Sequence, residues 1–298
     1  MESMSDACRL QDFVRECDAR LHTQILQAVD RVAAISDLRF LGLTGPTCSG
    51  KTTAAKLLTA KMEARGRRVH VISIDDFYYD KEFLHKRADD DPNIEIDYDS
   101  EDTIDVALLA EKTEQLLQGR ETELPRFDFQ QGIRTKGERI LPSSEDLFLF
   151  EGIQILYPKV YEILRGEAYH SLYICPLSSI EVGGEVFLPN DLRLMRRLVR
   201  DFRYRATDPA FTLYLWQSVR ENEEKNIFPY THYCKEQIDS TMPYEVGMLK
   251  PYLEELLATV DAQNPFFARA QEMLGRLARV EVVPASYMAP NSLYKEFI

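Results

Sequence analysis

Apolar residues recur along this chain with two different periods, and segments of the two kinds alternate. Short apolar runs rich in strand-forming residues occur at residues 39–45, 68–75, 146–153, 171–176 and 278–284. Between the first two runs, GKTTAAKLLTAKMEAR is composed of helix-forming residues and ends near Gly66. Short buried strands separated by helices are typical of a parallel sheet covered on both faces. We therefore predict an α/β fold with a mainly parallel, five-stranded sheet and helices on both faces.

A helical period precedes this region. Between about residues 8 and 34, apolar positions spaced for one face of a helix are Leu10, Phe13, Val14, Leu21, Ile25, Leu26, Val29 and Val32. The pattern indicates one or two amphipathic helices. We divide the chain into an N-terminal helical extension, residues 1–36, and one α/β domain, residues 37–298.

Composition limits the kinds of partner. The 298 residues carry 36 basic and 49 acidic side chains, a net charge of −13, so the overall field repels nucleic acids and anionic membranes. No apolar run approaches the roughly 18 residues of a membrane span, and the N-terminus lacks a signal-peptide pattern. The five cysteines are widely spaced without a CxxC pair, which favours free thiols. We expect a cytoplasmic protein, and a homo-oligomer is not distinguished from a monomer.

The segment GPTCSGKT, residues 45–52, fits the pattern G-x-x-x-x-G-K-[ST] without a mismatch. Its glycines let successive backbone N–H groups point at phosphate oxygens, and the helix that follows adds partial positive charge. Lys51 is expected to reach the β- and γ-phosphates, and the Thr52 hydroxyl to bind Mg²⁺. The predicted ATP-binding residues are Gly45, Thr47, Cys48, Ser49, Gly50, Lys51, Thr52 and Thr53. Cys48 is interpreted as a variable loop position rather than a nucleophile.

This loop predicts a nucleoside-triphosphate site but no particular reaction. The Asn-Lys-x-Asp and Asp-x-x-Gly motifs of GTPases do not occur, and neither does a Leu-Ser-Gly-Gly signature of transporter ATPases. Kinases and nucleotide-binding regulators remain, with the choice between ATP and GTP open.

Two adjacent aspartates follow the second predicted strand, in VHVISIDDFYYD. Strand carboxyl ends line the ligand crevice of a parallel sheet, so Asp75 or Asp76 could accept the proton of an attacking hydroxyl. Both could instead be turn or N-cap aspartates. Tyr78 could stack on a flat substrate or be an ordinary core aromatic.

GPTCSGKTT followed by SIDDFY resembles the uridine kinase branch of the phosphoribulokinase/uridine kinase family. The resemblance implies that Asp75 is the catalytic base and Tyr78 a nucleoside contact. DYDSEDTIDVALL is similar to the family's ribose-binding segment, which implies that Asp99 binds the sugar.

Further segments match in the family's order. PRFDFQQGIR resembles the segment near the nucleobase, which implies roles for Phe127 and Arg134. LFLFEGI resembles the strand with an acidic end beside the metal, and implies that Glu151 binds Mg²⁺ with Thr52. The late segment SLYKEFI resembles a bacterial nucleoside-kinase subgroup.

Six arginines lie between residues 193 and 205. Those at 193, 196, 197 and 200 are spaced for one helix face, and a salt-bridged surface would explain them. RLMRRLVRD also resembles the family's arginine-rich lid helix, so we predict a lid at about residues 188–210. Arg193 and Arg197 are the first choices for catalytic arginines.

These patterns together predict transfer of phosphate from ATP-Mg²⁺ to the 5′-hydroxyl of a uridine- or cytidine-like nucleoside. One departure weakens the base assignment: Phe127 and Gly132 stand where the family has tyrosine and histidine. Arg126 and Arg134 leave a sugar phosphate open as acceptor, and pantothenate is another alternative. A nucleotide-binding regulator without turnover is the alternative outside the enzymes.

Overall fold

The computed structural model of the protein describes residues 4–90, 100–166, 168–290 and 292–298. Its strands are β1 (Phe40–Thr44), β2 (Val69–Ser73), β3 (Thr122–Asp128), β4 (Ile133–Ile140), β5 (Leu147–Glu151), β6 (Tyr169–Cys175), β7 (Ile180–Val182), β8 (Glu185–Phe187) and β9 (Glu236–Asp239). Its helices are α1 (Met4–Ala33), α2 (Lys51–Glu63), α3 (Lys81–Asp90), α4 (Val106–Leu117), α5 (Pro158–Leu164), α6 (Pro189–Arg205), α7 (Pro209–Asn226), α8 (Glu245–Leu257) and α9 (Phe267–Leu277).

The central sheet has five strands in the order β2-β5-β1-β6-β9, and every neighbouring pair is parallel. The predicted α/β fold with a parallel five-stranded sheet is thereby confirmed. Because parallel strands end on one edge, the carboxyl ends of β1, β2 and β5 lie side by side.

Side chains alternate across the strands and supply a core on each face of the sheet. On β1 and β5, Leu41 and Leu149 enter one core, whereas Phe40 and Phe148 enter the other. The first core holds buried residues of α1, α2 and α6 to α9, and the second holds those of α4 and α5.

The amino-terminal segment forms one continuous helix, α1, of 30 residues. Its apolar stripe, which includes Leu21, Ile25 and Val29, is buried in the first core. Asp18 lies on the same face and accepts hydrogen bonds from the Tyr244 hydroxyl at 2.6 Å and the Ser292 hydroxyl at 2.8 Å. The segment is therefore packed along the α/β core over most of its length.

The prediction of a strand at residues 278–284 is wrong. Here the chain crosses α8 instead of joining the sheet: Val283 N donates to Gly247 O at 3.1 Å. A Cβ at Gly247 would lie 2.5 Å from Glu281 O, so the two backbones are in close contact. The fifth strand is β9, at the edge of the sheet beside β6, and its sequence EQID lacks an apolar run.

Two antiparallel hairpins, β3–β4 and β7–β8, lie outside the central sheet. Hairpin β3–β4 packs on the turn that follows β2, and β7–β8 leads into α6. Among the described helices, none combines sufficient length with enough apolar residues to pass through a lipid bilayer.

Candidate functional site

The predicted phosphate loop joins β1 to α2. A Cβ at Gly45 would lie 2.0 Å from Ile174 O, so only glycine allows this close approach to β6. Gly50 is the N-cap of α2 with φ +96°, a left-handed conformation that favours glycine. Cys48 also has a positive φ, of 57°, and its side chain is buried. The glycines thus serve the curled backbone that a phosphate cradle requires.

Lys51 lies across this loop at the start of α2. Its Nζ donates to Gly45 O at 2.8 Å and to Pro46 O at 3.0 Å. Burial lowers the pKa of Lys51, while the nearby carboxylates of Glu151 and Asp75 oppose that effect. The predicted phosphate-binding cation therefore lies in the field of both predicted site acids.

Glu151 ends β5 directly opposite Ser73, which ends β2. The Ser73 hydroxyl donates to Glu151 Oε1 at 3.0 Å and so orients the carboxylate. Thr52 is exposed in the first turn of α2. No group of three or more His, Cys, Asp or Glu side chains within the described ranges could hold a metal ion by itself. A carboxylate and a hydroxyl fit Mg²⁺, which is usually bound by one or two carboxylates together with substrate phosphates.

The two adjacent aspartates have different surroundings. Asp75 lies in the turn Ile74–Phe77, where burial raises the pKa of its carboxyl group and a hydrogen bond from Gln154 partly lowers it again. Asp76 Oδ1 accepts a hydrogen bond from Phe127 N at 3.0 Å and so fastens β3 to this turn. Asp75 therefore interacts electrostatically with Lys51, whereas Asp76 holds β3 against the turn.

Gln154 is a site residue that the sequence reasoning missed. Its side chain is 1% exposed, and its Nε2 donates to Asp75 Oδ1 at 2.5 Å and to the Tyr78 hydroxyl at 2.8 Å. A lone polar residue within the apolar run GIQILY, just after Glu151, was the available signal.

Other aromatic rings lie close to Tyr78. Its ring centroid lies 5.6 Å from that of Phe127 and 6.3 Å from that of Phe129, a residue that the sequence reasoning also missed. The predicted ribose ligand Asp99 lies outside the described residues. Gly132 has φ +70° in the β3–β4 turn, where a Cβ would lie 2.4 Å from the side chain of Lys81.

Two arginines beside these aromatic rings, on β3 and β4, have acidic partners. Arg134 Nη1 donates to Asp105 Oδ2 at 2.9 Å, and Arg126 contacts Asp76 Oδ2 at 3.4 Å. Both arginines are therefore already paired with carboxylates.

Arg193 and Arg196 lie on the buried face of α6, with 0% and 1% exposure. Arg193 binds both carboxylate oxygens of Glu223, with Nη2 2.6 Å from Oε2, and Arg196 does the same with Glu245 at 2.6 and 2.9 Å. Arg193 also donates to Thr47 O, and Arg196 to Cys48 O, each at 3.3 Å. These two arginines are buried and hold the backbone of the phosphate loop. This arrangement differs from the predicted lid, in which the arginines would be free to move over the phosphates.

Three further arginines of α6, Arg197, Arg200 and Arg205, pair with Asp201. Arg197 Nε donates to Asp201 Oδ2 at 3.1 Å, and Arg200 Nη2 to Oδ1 at 3.2 Å. Burial lowers the pKa of Arg200, but Cys48, Asp201 and Glu296 raise it more. Arg200 thus lies within electrostatic range of the phosphate loop.

Other predicted loop residues contact distant parts of the chain. Ser49 is buried, and its carbonyl oxygen accepts a hydrogen bond from the Ser240 hydroxyl at 2.7 Å. Thr53 N donates to Glu296 Oε2 at 3.1 Å, a contact between residues 243 positions apart. No local pattern could have revealed either partner.

This chain is similar to known proteins of one family. The phosphoribulokinase/uridine kinase family model matches residues 40–243. A uridine kinase of Schizosaccharomyces pombe is 30% identical over 210 residues, which span 68% of this chain but only 39% of that protein. A uridine kinase of Lactobacillus helveticus is 31% identical over 177 residues, 59% of this chain and 74% of that protein. The solved structure of YGR205w protein shares the fold, with a TM-score of 0.51 and 16% identity over 72% of this chain and 89% of that chain. The chain belongs to the phosphoribulokinase/uridine kinase family.

Proposed function

We propose that this protein transfers the γ-phosphoryl group of ATP to the 5′-hydroxyl of a uridine- or cytidine-like nucleoside. The observation that carries the proposal is the meeting of Lys51, Asp75 and Glu151 at the carboxyl edge of the sheet, within electrostatic range of one another. A regulator without turnover needs the phosphate loop but has no use for a buried carboxylate beside it.

The donor side binds and orients the triphosphate. Backbone N–H groups of residues 47–53 would hold its phosphates, and Lys51 would neutralise charge that develops on the transferred group. Lys51 now donates to two loop carbonyls, Gly45 O and Pro46 O, and would exchange these neutral acceptors for phosphate oxygens. Thr52 and Glu151 would hold Mg²⁺, which supplies further neutralisation of the phosphate charge.

Asp75 would accept the proton of the attacking hydroxyl. A general base works best when its pKa lies closer to the working pH than that of an ordinary carboxylic acid, and burial shifts the pKa of Asp75 in that direction. Tyr78 and Phe127 would contact the flat base by stacking, and Asp99 would bind the ribose hydroxyls.

The pairing of the arginines beside Tyr78 and Phe127 with carboxylates favours an uncharged acceptor. Arg134 and Arg126, the residues that could bind a sugar phosphate, are paired with Asp105 and Asp76. An acceptor phosphate would have to compete with both carboxylates. This supports a nucleoside over a sugar phosphate.

Within α6, we assign different roles to two pairs of arginines. Arg193 and Arg196 would brace the phosphate loop, because their charges are already matched inside the protein by Glu223 and Glu245. Arg197 and Arg200 share one acidic partner, Asp201, and keep 11% and 22% of their side-chain surface exposed. These two are the arginines best placed to turn toward a bound triphosphate.

The test is ADP release from MgATP with a panel of acceptors: uridine, cytidine, adenosine, ribose 5-phosphate and pantothenate. We expect uridine or cytidine to stimulate ADP release strongly. Stimulation confined to ribose 5-phosphate or pantothenate would refute the acceptor assignment. A chain that binds ATP but is stimulated by no alcohol would be a regulator. Asp75→Asn, which keeps the side-chain size, is the matched control for a contaminating kinase.

A further inference from the structure

Gln154 is a buried polar side chain whose amide points at two predicted site residues. It lies in the turn Ile153–Leu156, directly after β5, and donates through one nitrogen to Asp75 at 2.5 Å and to the Tyr78 hydroxyl at 2.8 Å. A single amide therefore joins the proposed base to a proposed acceptor contact.

The surroundings of Gln154 are shaped for this side chain. A Cβ at Gly152 would lie 2.6 Å from Gln154 Oε1 and 3.1 Å from Ile74 Cβ, so a larger residue there would collide with the amide. Gln154 Oε1 has no hydrogen-bond partner in the described part of the chain, and burying an unpaired oxygen is unfavourable. If packing were its only use, an apolar residue such as the neighbouring Ile155 would serve better. The N–H donor of the amide is therefore the part of Gln154 that has a function.

We infer that Gln154 is a positioning residue, which holds the Asp75 carboxylate and the Tyr78 hydroxyl in one orientation toward the acceptor. The inference rests on the proposed function. Loss of the donor leaves Asp75 free to rotate, so turnover falls. Nucleotide binding is unaffected, because the hydrogen bonds of this amide go to Asp75 and Tyr78 and not to the phosphate loop.

The test compares Gln154→Met, which keeps the volume without a donor, with Gln154→Glu, which keeps the shape but replaces the donor by an acceptor. With MgATP and uridine, both are expected to lose on the order of 10- to 100-fold in kcat. For Gln154→Met, the Kd for MgADP and the Tm stay close to those of the wild type. The control is Gln118→Met at the exposed C-terminal end of α4, with unchanged kcat.

Wild-type kcat in Gln154→Met would overturn the positioning role. So would a parallel fall of kcat, ADP affinity and Tm, because that result indicates a structural role alone. A wild-type chain that binds ADP but phosphorylates no acceptor would refute the proposed function and this role with it.

Glu296 lies in the turn Leu293–Glu296, near the end of the described chain. Its Oε2 accepts hydrogen bonds from Thr53 N, at 3.1 Å, and from the Thr53 hydroxyl. Thr53 lies in the first turn of α2, where backbone N–H and hydroxyl groups are available to a phosphate. A carboxylate of the same chain thus occupies donors of the proposed nucleotide site.

The segment that carries Glu296 is anchored beside the phosphate loop. The Tyr294 hydroxyl donates to Glu245 Oε2 at 3.1 Å, and the rings of Tyr294 and Phe297 lie 5.4 and 4.9 Å from the guanidinium of Arg196. Arg196 in turn donates to Cys48 O. The position of this segment is therefore linked to the loop backbone.

Charge makes Glu296 a competitor of a triphosphate. The carboxylate and a phosphate would accept from the same Thr53 donors, and two anions at hydrogen-bond spacing repel each other. Glu296 also interacts with Lys51 and Arg200, where its charge opposes the lowering of their pKa by burial.

We propose that Glu296 is an intramolecular competitor of the nucleotide, which must leave Thr53 before a phosphate can bind there. The nucleotide affinity is then set partly by how firmly the segment 292–298 is held. This regulatory role presupposes a nucleotide site but no particular acceptor.

The test is the Kd for MgADP, measured by calorimetry, for the wild type, Glu296→Gln and the control Glu272→Gln. Both variants lose one negative charge, but Glu272 is exposed on α9. Glu296→Gln is expected to bind MgADP about tenfold more tightly, about 1.4 kcal/mol, and the control is expected to match the wild type. In the wild type, saturating MgADP should speed amide hydrogen exchange in residues 292–298.

Equal Kd values for Glu296→Gln and wild type, or exchange that slows on ADP binding, would overturn the competition. These outcomes leave the proposed function standing. Absence of ADP binding in all three proteins would refute both.

Discussion

The buried pair Arg193–Glu223 allows a quantitative test of whether α6 braces the phosphate loop. The two side chains are 0% and 2% exposed, and Glu223 also accepts from Arg220 at 2.6 Å. Glu223→Gln keeps the shape of the side chain but leaves Arg193 buried with only neutral acceptors, among them Thr47 O and Asn190 Oδ1. Removing one partner of a buried ion pair typically destabilises a protein by about 3–5 kcal/mol, and we expect a loss in this range.

Arg193→Met is expected to be less damaging, because Glu223 keeps Arg220 as a partner. The double variant Arg193→Met/Glu223→Leu should recover part of the loss, since apolar residues of similar volume can replace a buried pair. The assay is the free energy of unfolding from urea titrations. Glu162→Gln is the control, because its pair with Arg165 is more than half exposed and is expected to contribute at most about 1 kcal/mol.

If Glu223→Gln lowers the free energy of unfolding by less than about 1 kcal/mol, as the exposed control does, the bracing role of this pair is refuted. The double variant also distinguishes two roles of Arg193, which are bracing the phosphate loop and contacting the phosphate directly. If Arg193 only braces the loop, the double variant should bind MgADP with a Kd within about tenfold of the wild type once its stability is recovered. A tenfold change in Kd corresponds to about 1.4 kcal/mol. A much larger loss in a stably folded double variant would show that Arg193 itself contacts phosphate.

Asp75→Asn is expected to lower kcat by about 10²–10⁴, and the neighbouring Asp76→Asn mainly to lower the free energy of unfolding; equal kcat in the two variants would contradict the choice of base. Gly50→Ala places a Cβ at φ +96°, so MgADP affinity should fall by about tenfold, and unchanged calorimetric Kd would count against the loop geometry. Burial raises the pKa of Asp146, but hydrogen bonds led by that from Arg68 lower it well below its usual range in the fold. Its carboxylate therefore stabilises the protein above about pH 4, and the stability gap between wild type and Asp146→Asn should narrow as the pH falls further; a gap independent of pH in urea titrations would contradict this.

The sequence was most informative where structure is local. Strand β1, the glycine loop and α2 follow one another within 24 residues, from Phe40 to Glu63, and each has its own pattern. A left-handed Gly50 before a helix and a run of buried apolar residues depend mainly on the nearest neighbours. For the same reason the position of Asp75 at a strand end was predictable, because parallel strands share one carboxyl edge.

Prediction failed where partners came from distant segments. The run at residues 278–284 has the composition of a strand, but its backbone meets Gly247 of α8, while the polar segment EQID completes the sheet as β9. The arginine spacing of α6 indicated a charged helix face. Only the packed structure showed which face of α6 is buried.

By itself, then, the sequence determined the α/β class, the phosphate loop and the places of Asp75 and Glu151 after their strands, because these depend on local backbone geometry and hydrophobic period. The tertiary structure decided which charges are available. It paired Arg193 with Glu223 and Arg196 with Glu245, aimed Gln154 at Asp75, and brought Glu296 to Thr53 across 243 residues. A buried charge must find its partner wherever packing places one, and no pattern of neighbouring residues specifies that partner.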